Sequence, residues 1–136
     1  MSRENVEIVR SIYEAVARRD TATVFTLYDA DIEIDSSRLP ESELSGSGLI
    51  RGHEGLRRWF RDWSEAWESF EDDCEELIDA GEQVISVVTR RGRGRASGAE
   101  TTAPRVGVWT IREGKVIRMV WFPTRAEALA VVGLSE

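Results

Sequence analysis

Apolar positions recur along the chain with two periods, and the switch between them outlines the elements. Ile8, Val9, Ile12, Tyr13 and Val16 are spaced by three and four, one stripe of a helix over roughly residues 3–19. Ser2 is placed to cap that helix, with Glu4 and Glu7 near its positive end. Asp20 then caps a shorter helix carrying Val24, Phe25, Leu27 and Tyr28. Asp31-Ile32-Glu33-Ile34-Asp35 alternates polar and apolar, which predicts a half-buried strand. Residues 36–49, rich in Ser, Gly, Pro and Glu, read as a loop. The clearest helix follows. Leu56, Trp59, Phe60, Trp63 and Trp67 share one face, and Arg57, Arg58, Arg61, Asp62 and Glu65 the other. Four strand-like runs come next: an acidic one near 70–79, Val84–Thr89, Arg105–Arg112 and Lys115–Phe122. Glu113-Gly114 is the two-residue turn between the last two. Pro123 ends the strands, and Thr124 caps a final helix with Ala126, Ala128, Leu129 and Val132, closed by Gly133.

The predicted order is α-α-β-α-β-β-β-β-α. Helices gather early and strands run consecutively late, which predicts an α+β fold with a mainly antiparallel sheet. At 136 residues, with no repeat and no long linker, the chain is expected to form one domain over 1–136. A net charge of −7 argues against nucleic acid as a partner, because phosphate binding needs a surplus of Lys and Arg on some face. Cys74 is the one cysteine, so no intramolecular disulfide can form, and a reducing compartment suits the chain. Polar residues open the sequence and no apolar run approaches the ~18 residues of a membrane span. A cytoplasmic protein without membrane contact is expected.

The run Val6–Ala15, then Arg19-Asp20, then Leu27-Tyr28-Asp29-Ala30-Asp31-Ile32-Glu33-Ile34 resembles the start of a SnoaL-like domain. Ile50-Arg51-Gly52-His53-Glu54-Gly55-Leu56 and the closing run Val108–Arg118 are similar to that family as well. The resemblance is to the SnoaL-like branch of the nuclear-transport-factor-2-like, or ketosteroid-isomerase-like, superfamily. It implies a cone in which a curved sheet wraps helices around an apolar pocket. It also implies a homodimer through the sheet's outer face. Such proteins include isomerases, cyclases, hydrolases and non-catalytic binders, so the fold alone does not name a reaction.

The resemblance further implies where isomerase chemistry would sit: a tyrosine in the first helix, a base at the end of the first strand, and an aspartic acid in a late strand. Alignment on the Asp20 turn and the last hairpin puts Ile12, Ser36 and Gly107 at those places. Tyr13 and Asp35 are each one residue away, which turns a helical side chain by ~100° and reverses a strand side chain. Ketosteroid isomerase activity is therefore not expected.

Other candidates remain, each with a structural alternative. Asp35, ending the first strand, is a candidate base if an apolar pocket raises its pKa, or else a cap at the loop start. His53, the lone histidine, is a candidate acid–base group, or else a packing element at a helix start. Asp35 with Arg105 would suit an epoxide-hydrolase-like site if a second acid joined them. Cys74 lies between Asp73 and Glu75, which disfavour its thiolate. No metal-ligand spacing is present, and no cofactor is expected. Arg90, Arg91, Arg93 and Arg95 read as an anion-binding stretch, or else as a solvated face paired with Asp72, Asp73, Glu75 and Glu76. Trp109, Met119 and Trp121, with Tyr13, Tyr28 and Trp63, are the candidate lining of a pocket for a small apolar molecule, or else core. The function expected is binding of such a molecule, of polycyclic or terpenoid type, with carboxylate acid–base chemistry. The alternative is a binding or dimerisation module without catalysis.

Overall fold

The computed structural model describes residues 2–39 and 48–133. Helices α1 (Ser2–Ala17) and α2 (Thr21–Leu27) lead into strand β1 (Tyr28–Asp35). A three-residue strand, β2 (Leu49–Arg51), precedes α3 (Gly52–Ala66). Then come β3 (Trp67–Ala80), β4 (Gln83–Gly94), β5 (Glu100–Arg112), β6 (Lys115–Phe122) and α4 (Arg125–Val131). The six strands form one sheet in the order β2-β1-β6-β5-β4-β3, antiparallel except for the parallel pair β1–β6. The α+β expectation therefore holds.

Local chemistry sets the ends as expected. Asp20 Oδ1 accepts from the Thr23 amide at 3.2 Å, and Thr124 Oγ1 from the Glu127 amide at 3.3 Å, capping α2 and α4. Glu113 and Gly114 both have positive φ (52° and 78°), as a tight hairpin turn requires. The expected capping role of the Ser2 side chain lies outside the described residues, as does most of the predicted 36–49 loop. Three expectations change. Tyr28 opens β1 instead of ending α2, and Trp67 opens β3 instead of ending α3. β2 is added where the segment read as loop meets the run Ile50–Leu56 that opens α3, because three residues are too few to show a period. β4 and β5 also run further than their β-branched cores, since pairing with each other and with β3 carries the ladder on through Gly92 and Gly94.

Strand pairing assigns every side chain to a face, because directly opposed residues lie on the same side. Val84, Ser86 and Val88 of β4 oppose Trp109, Gly107 and Arg105 of β5, and Met119 and Trp121 of β6 oppose Trp109 and Gly107. This inner face meets α1 and α3: Val9, Ile12, Ala15, Leu56, Ile34, Trp109 and Met119 form one core. The outer face carries Ile85, Val106, Val108 and Phe122, covered by Ala128 and Leu129 of α4 in a second core. On β3 the phase of alternation changes at a bulge between Cys74 and Glu76. Asp72 and Cys74 oppose Arg90 and Val88 before it, and Leu77 opposes Ser86 after it. All three thus reach the inner face.

Candidate functional site

The inner face is apolar except for a small set of polar groups held at fixed places. Ser86 is fully buried in the run Val84-Ile85-Ser86-Val87-Val88. Its Oγ accepts from Trp109 Nε1 at 2.8 Å and lies 2.9 Å from the Tyr13 hydroxyl, which α1 brings in from across the core. An indole N–H can only donate. Two oxygens and one nitrogen therefore carry three hydrogens between two hydrogen bonds. Whichever way the Tyr13–Ser86 bond points, one hydroxyl hydrogen is left without a partner among the described residues.

Gly107 lies directly across from Ser86, and its lack of a side chain makes this arrangement possible. A Cβ there would stand 2.6 Å from Met119 Cε, 2.9 Å from Ser86 Oγ and 3.0 Å from Trp109 Nε1. The place that the family resemblance gives to a late acid is thus occupied by the indole and the thioether methyl. Ile12 is core, 1% exposed, and the Ser36 amide donates to Gly48 O at 2.6 Å. Tyr13, one position on from Ile12, is the residue that delivers a hydroxyl to the interior.

Aromatic rings surround the cluster. Tyr13 meets Trp109 edge-on at 5.7 Å, Trp109 meets Trp121 edge-on at 6.4 Å, and Tyr28 lies 6.3 Å from Trp109. Trp63 stacks on Trp59 at 5.0 Å and takes the edge of Phe70 at 4.9 Å. The indole Nε1 of Trp63 is buried without a hydrogen-bond partner among the described residues. Beside these rings, Arg90 Nε and Nη2 grip Asp72 Oδ1 and Oδ2 at 2.8 and 3.0 Å. The guanidinium lies 4.6 Å from the Trp121 ring and 5.2 Å from Phe70. Both side chains of the pair are only 12% exposed, so Arg90 departs from the solvated face read from the sequence. Its neighbours do pair at the surface, Arg91 with Asp73 at 3.4 Å and Arg93 with Glu100.

Burial pushes the Tyr13 phenol well above its ordinary pKa of 10.0, against a smaller lowering by the Ser86 hydrogen bond. Burial raises Tyr28 as well. A group whose folded pKa is raised keeps its proton while the unfolded chain releases it. The stabilisation is complete below pH 10.0 and is lost as pH rises from there toward the folded values. Urea denaturation across pH 9–11 is expected to show stability falling with pH, and the slope is expected to shrink in Tyr28→Phe.

Tyr13, Tyr28, Trp63, Trp109, Met119 and Trp121 are brought together on or against the inner face. Asp35 is not. It opposes Val120 of β6, an outer-face residue, whereas its neighbour Ile34 opposes inner-face Met119. Its Oδ1 accepts from the Ser37 amide at 2.9 Å, and Arg38 pairs with it at 3.3 Å. Partial burial pushes its pKa up, but the Ser37 hydrogen bonds and the Arg38 charge outweigh that and hold it below the ordinary 3.8. The expected rise is therefore absent, and the carboxylate caps the loop start. It is also on the opposite face from Arg105, whose Nη1 donates to Pro104 O at 2.7 Å. His53, at the start of α3, places Nε2 2.9 Å from Tyr28 O and packs edge-on to Phe25. Sequence reasoning missed Ser86, Asp72 and Arg90 as inner-face groups. A serine inside a β-branched run was the available signal for the first.

Among the clefts at the surface are two that border β3. One, of about 340 Å³, lies between α1 and β3, lined by Tyr13, Ala17, Cys74 and Leu77 with Arg10 and acidic neighbours. The other, of about 380 Å³, lies at the far end of β3–β5. Among the described residues no group of His, Cys, Asp and Glu could hold a metal, and no helix is long and apolar enough to cross a membrane.

A curved, mostly antiparallel sheet enclosing two helices, with tyrosine, serine and tryptophan meeting on its inner face, defines the cone-shaped α+β class that the sequence resemblance implies. The chain belongs to the SnoaL-like domain family, whose model matches residues 9–119. An NTF2-like protein from Burkholderia pseudomallei K96243 superposes with a TM-score of 0.80 at 24% identity, over 96% of this chain and 98% of that one. TerC, co-crystallized with polyporic acid, superposes at 0.78 with 22% identity over 95% and 98%. A protein of ketosteroid-isomerase-like fold from Catenulispora acidiphila DSM 44928, in complex with trimethylamine, superposes at 0.71 with 17% identity over 94% and 93%. No curated protein sequence matches the chain.

Proposed function

We propose that the chain binds a small, flat, largely apolar molecule carrying an oxygen acceptor. The acceptor reaches the Tyr13–Ser86 hydroxyl pair from the cleft of about 340 Å³ that Tyr13 lines, and the packed side chains of Trp109 and Met119, 2% and 1% exposed, move aside so that the apolar body lies along them and Trp121, with Tyr28 and Trp63 behind. The observation that carries this reading is the hydroxyl hydrogen left over in the Tyr13–Ser86–Trp109 cluster, a donor without an acceptor in an aromatic setting. The unpartnered Trp63 indole N–H supports it. The two relatives solved with polyporic acid and with trimethylamine support small-molecule binding on this fold, though at their identities the likeness extends to the fold alone. In this reading a second copy of the chain pairs through the part of the outer sheet face that α4 leaves open.

Titration with planar phenols and quinones, 2-naphthol first, tests the reading through tryptophan fluorescence. Saturable quenching is expected, weakened by about fivefold to tenfold, the size of one lost hydrogen bond, in the double variant Tyr13→Phe with Ser86→Ala, which removes both hydroxyls. Equal affinity in the double variant, or no saturation with any compound, would sink the reading. One observation favours chemistry in addition to binding: Asp72, unlike Asp35, is a carboxylate on the inner face beside the aromatic rings, and its charge is felt at Tyr13. If a bound compound is turned over, Asp72→Asn should abolish turnover and spare binding.

A further inference from the structure

Arg19 sits in a backbone conformation that arginine rarely adopts. Its φ is 59°, the left-handed region that favours glycine. It terminates α1 in a Schellman arrangement, the Asp20 amide bonding Ala15 O at 2.8 Å and the Arg19 amide bonding Val16 O at 3.0 Å. Glycine would satisfy that geometry without strain. Strain kept at one position points to something its side chain does.

That side chain lines the cleft of about 380 Å³ at the end of β3–β5, together with Arg91 and Arg93. Ser69, Thr101 and Thr102 line it as well, and so do the carboxylates Glu71 and Glu100. Glu100 is neutralised by Arg93, and Arg91 stands opposite Glu71 in the strand register while its guanidinium reaches Asp73. Among the described residues the Arg19 guanidinium meets no carboxylate and makes no hydrogen bond. In a chain of net charge −7, a cleft gathering arginines and hydroxyl donors around an unpaired guanidinium is an exception to the overall field. Phe70 forms one wall, its ring turned against Trp63 and Arg90 of the interior, so the cleft is separate from the Tyr13–Ser86 cluster.

We propose that this cleft is a binding site for a small oxyanion, a carboxylate or phosphate group, with Arg19 as its principal contact and Arg91, Arg93, Thr101 and Thr102 as its frame. A guanidinium fork fits either group with paired hydrogen bonds. The strained cap is then retained because glycine would remove the ligand's anchor.

The test titrates the intact chain with inorganic phosphate and, separately, with succinate. It follows the amide signals of Thr101 and Thr102 by NMR at fixed ionic strength. Saturable shifts confined to the cleft are expected with at least one of them, and the arm that saturates names the group. Arg19→Gly is expected to bind about tenfold more weakly while keeping its Tm at or above that of the parent, since it relieves the strain. Glu71→Gln is expected to tighten binding, and Arg112→Ala, an exposed arginine of the far hairpin, to leave it unchanged. Equal affinity in Arg19→Gly, shifts spread evenly over the protein, or no saturation in either arm would overturn the proposal.

Discussion

Replacing Arg90 with Met is expected to lower folding stability by ~2–4 kcal/mol, far more than loss of an ordinary surface arginine. The reason is what it leaves behind. Asp72 sits at 12% side-chain exposure with both oxygens committed to Arg90, and its surroundings are Phe70, Trp121 and the inner sheet face. Without the guanidinium, a carboxylate remains in a place where water reaches it poorly. Measured costs for stranding one partner of a fully buried pair run to about 3–5 kcal/mol, and the residual exposure here lowers the range. The stacking of Arg90 on Trp121 adds a packing loss. The double variant Asp72→Leu with Arg90→Met should recover to within ~1 kcal/mol of the parent, because no charge is then stranded. Urea denaturation of the three variants decides it. A single-variant cost under ~0.5 kcal/mol, typical of exposed pairs, would show that the pair is solvated.

Ser86→Ala is the second substitution expected to act strongly. Alanine fits the space, so volume is not the issue. The serine oxygen is the acceptor for Trp109 Nε1, whose residue is 2% exposed, and the partner of the Tyr13 hydroxyl. Removing it leaves the Trp109 indole N–H in the core with no partner and takes the Tyr13 hydroxyl's partner away, which costs ~2–6 kcal/mol in all at roughly 1–3 kcal/mol for each group. Tyr13→Phe should be milder, ~1 kcal/mol, because Ser86 still accepts from Trp109. The Ser86→Ala cost should shrink by at least ~1 kcal/mol in a Trp109→Phe background, where the donor is already gone. A cycle with no coupling between Ser86 and Trp109 would mean that their hydrogen bond contributes nothing. The same variants bear on binding: Tyr13→Phe leaves the Ser86 hydroxyl hydrogen over and Ser86→Ala leaves that of Tyr13, so only the double variant removes the leftover donor.

Much of this protein was legible in its sequence. Spacings of three and four fixed α1 and α3 and their buried faces, because a helix forms a stripe from residues near in the chain. Alternation gave β1 and put Met119 and Trp121 on one side of β6, because a strand reverses its side chains at every residue, while Trp109 shares that side only through the register shift between Thr110 and Ile111. Asp20, Thr124 and the Glu113-Gly114 turn were equally plain, since caps and tight turns are contacts within a few residues. All of these are local, and local sequence is enough to specify them.

What only the tertiary structure decided depends on pairing between distant segments. Asp35 faces outward because β1 registers with β6 so that Asp35 meets Val120 and Ile34 meets Met119, and no residue near Asp35 encodes that register. Arg90 and Asp72 are buried because the bulge at Cys74–Glu76 changes the phase of β3, which brings Asp72 before it and Leu77 after it onto one face. Tyr13 reaches Ser86 because α1 lies across β3 and β4, and Gly107 leaves the space in which the Trp109 indole meets both. The alternating pattern determined that a half-buried sheet would form. Which polar groups meet on its inner face was decided by long-range register, since a shift of one residue would have exchanged every one of them for its neighbour.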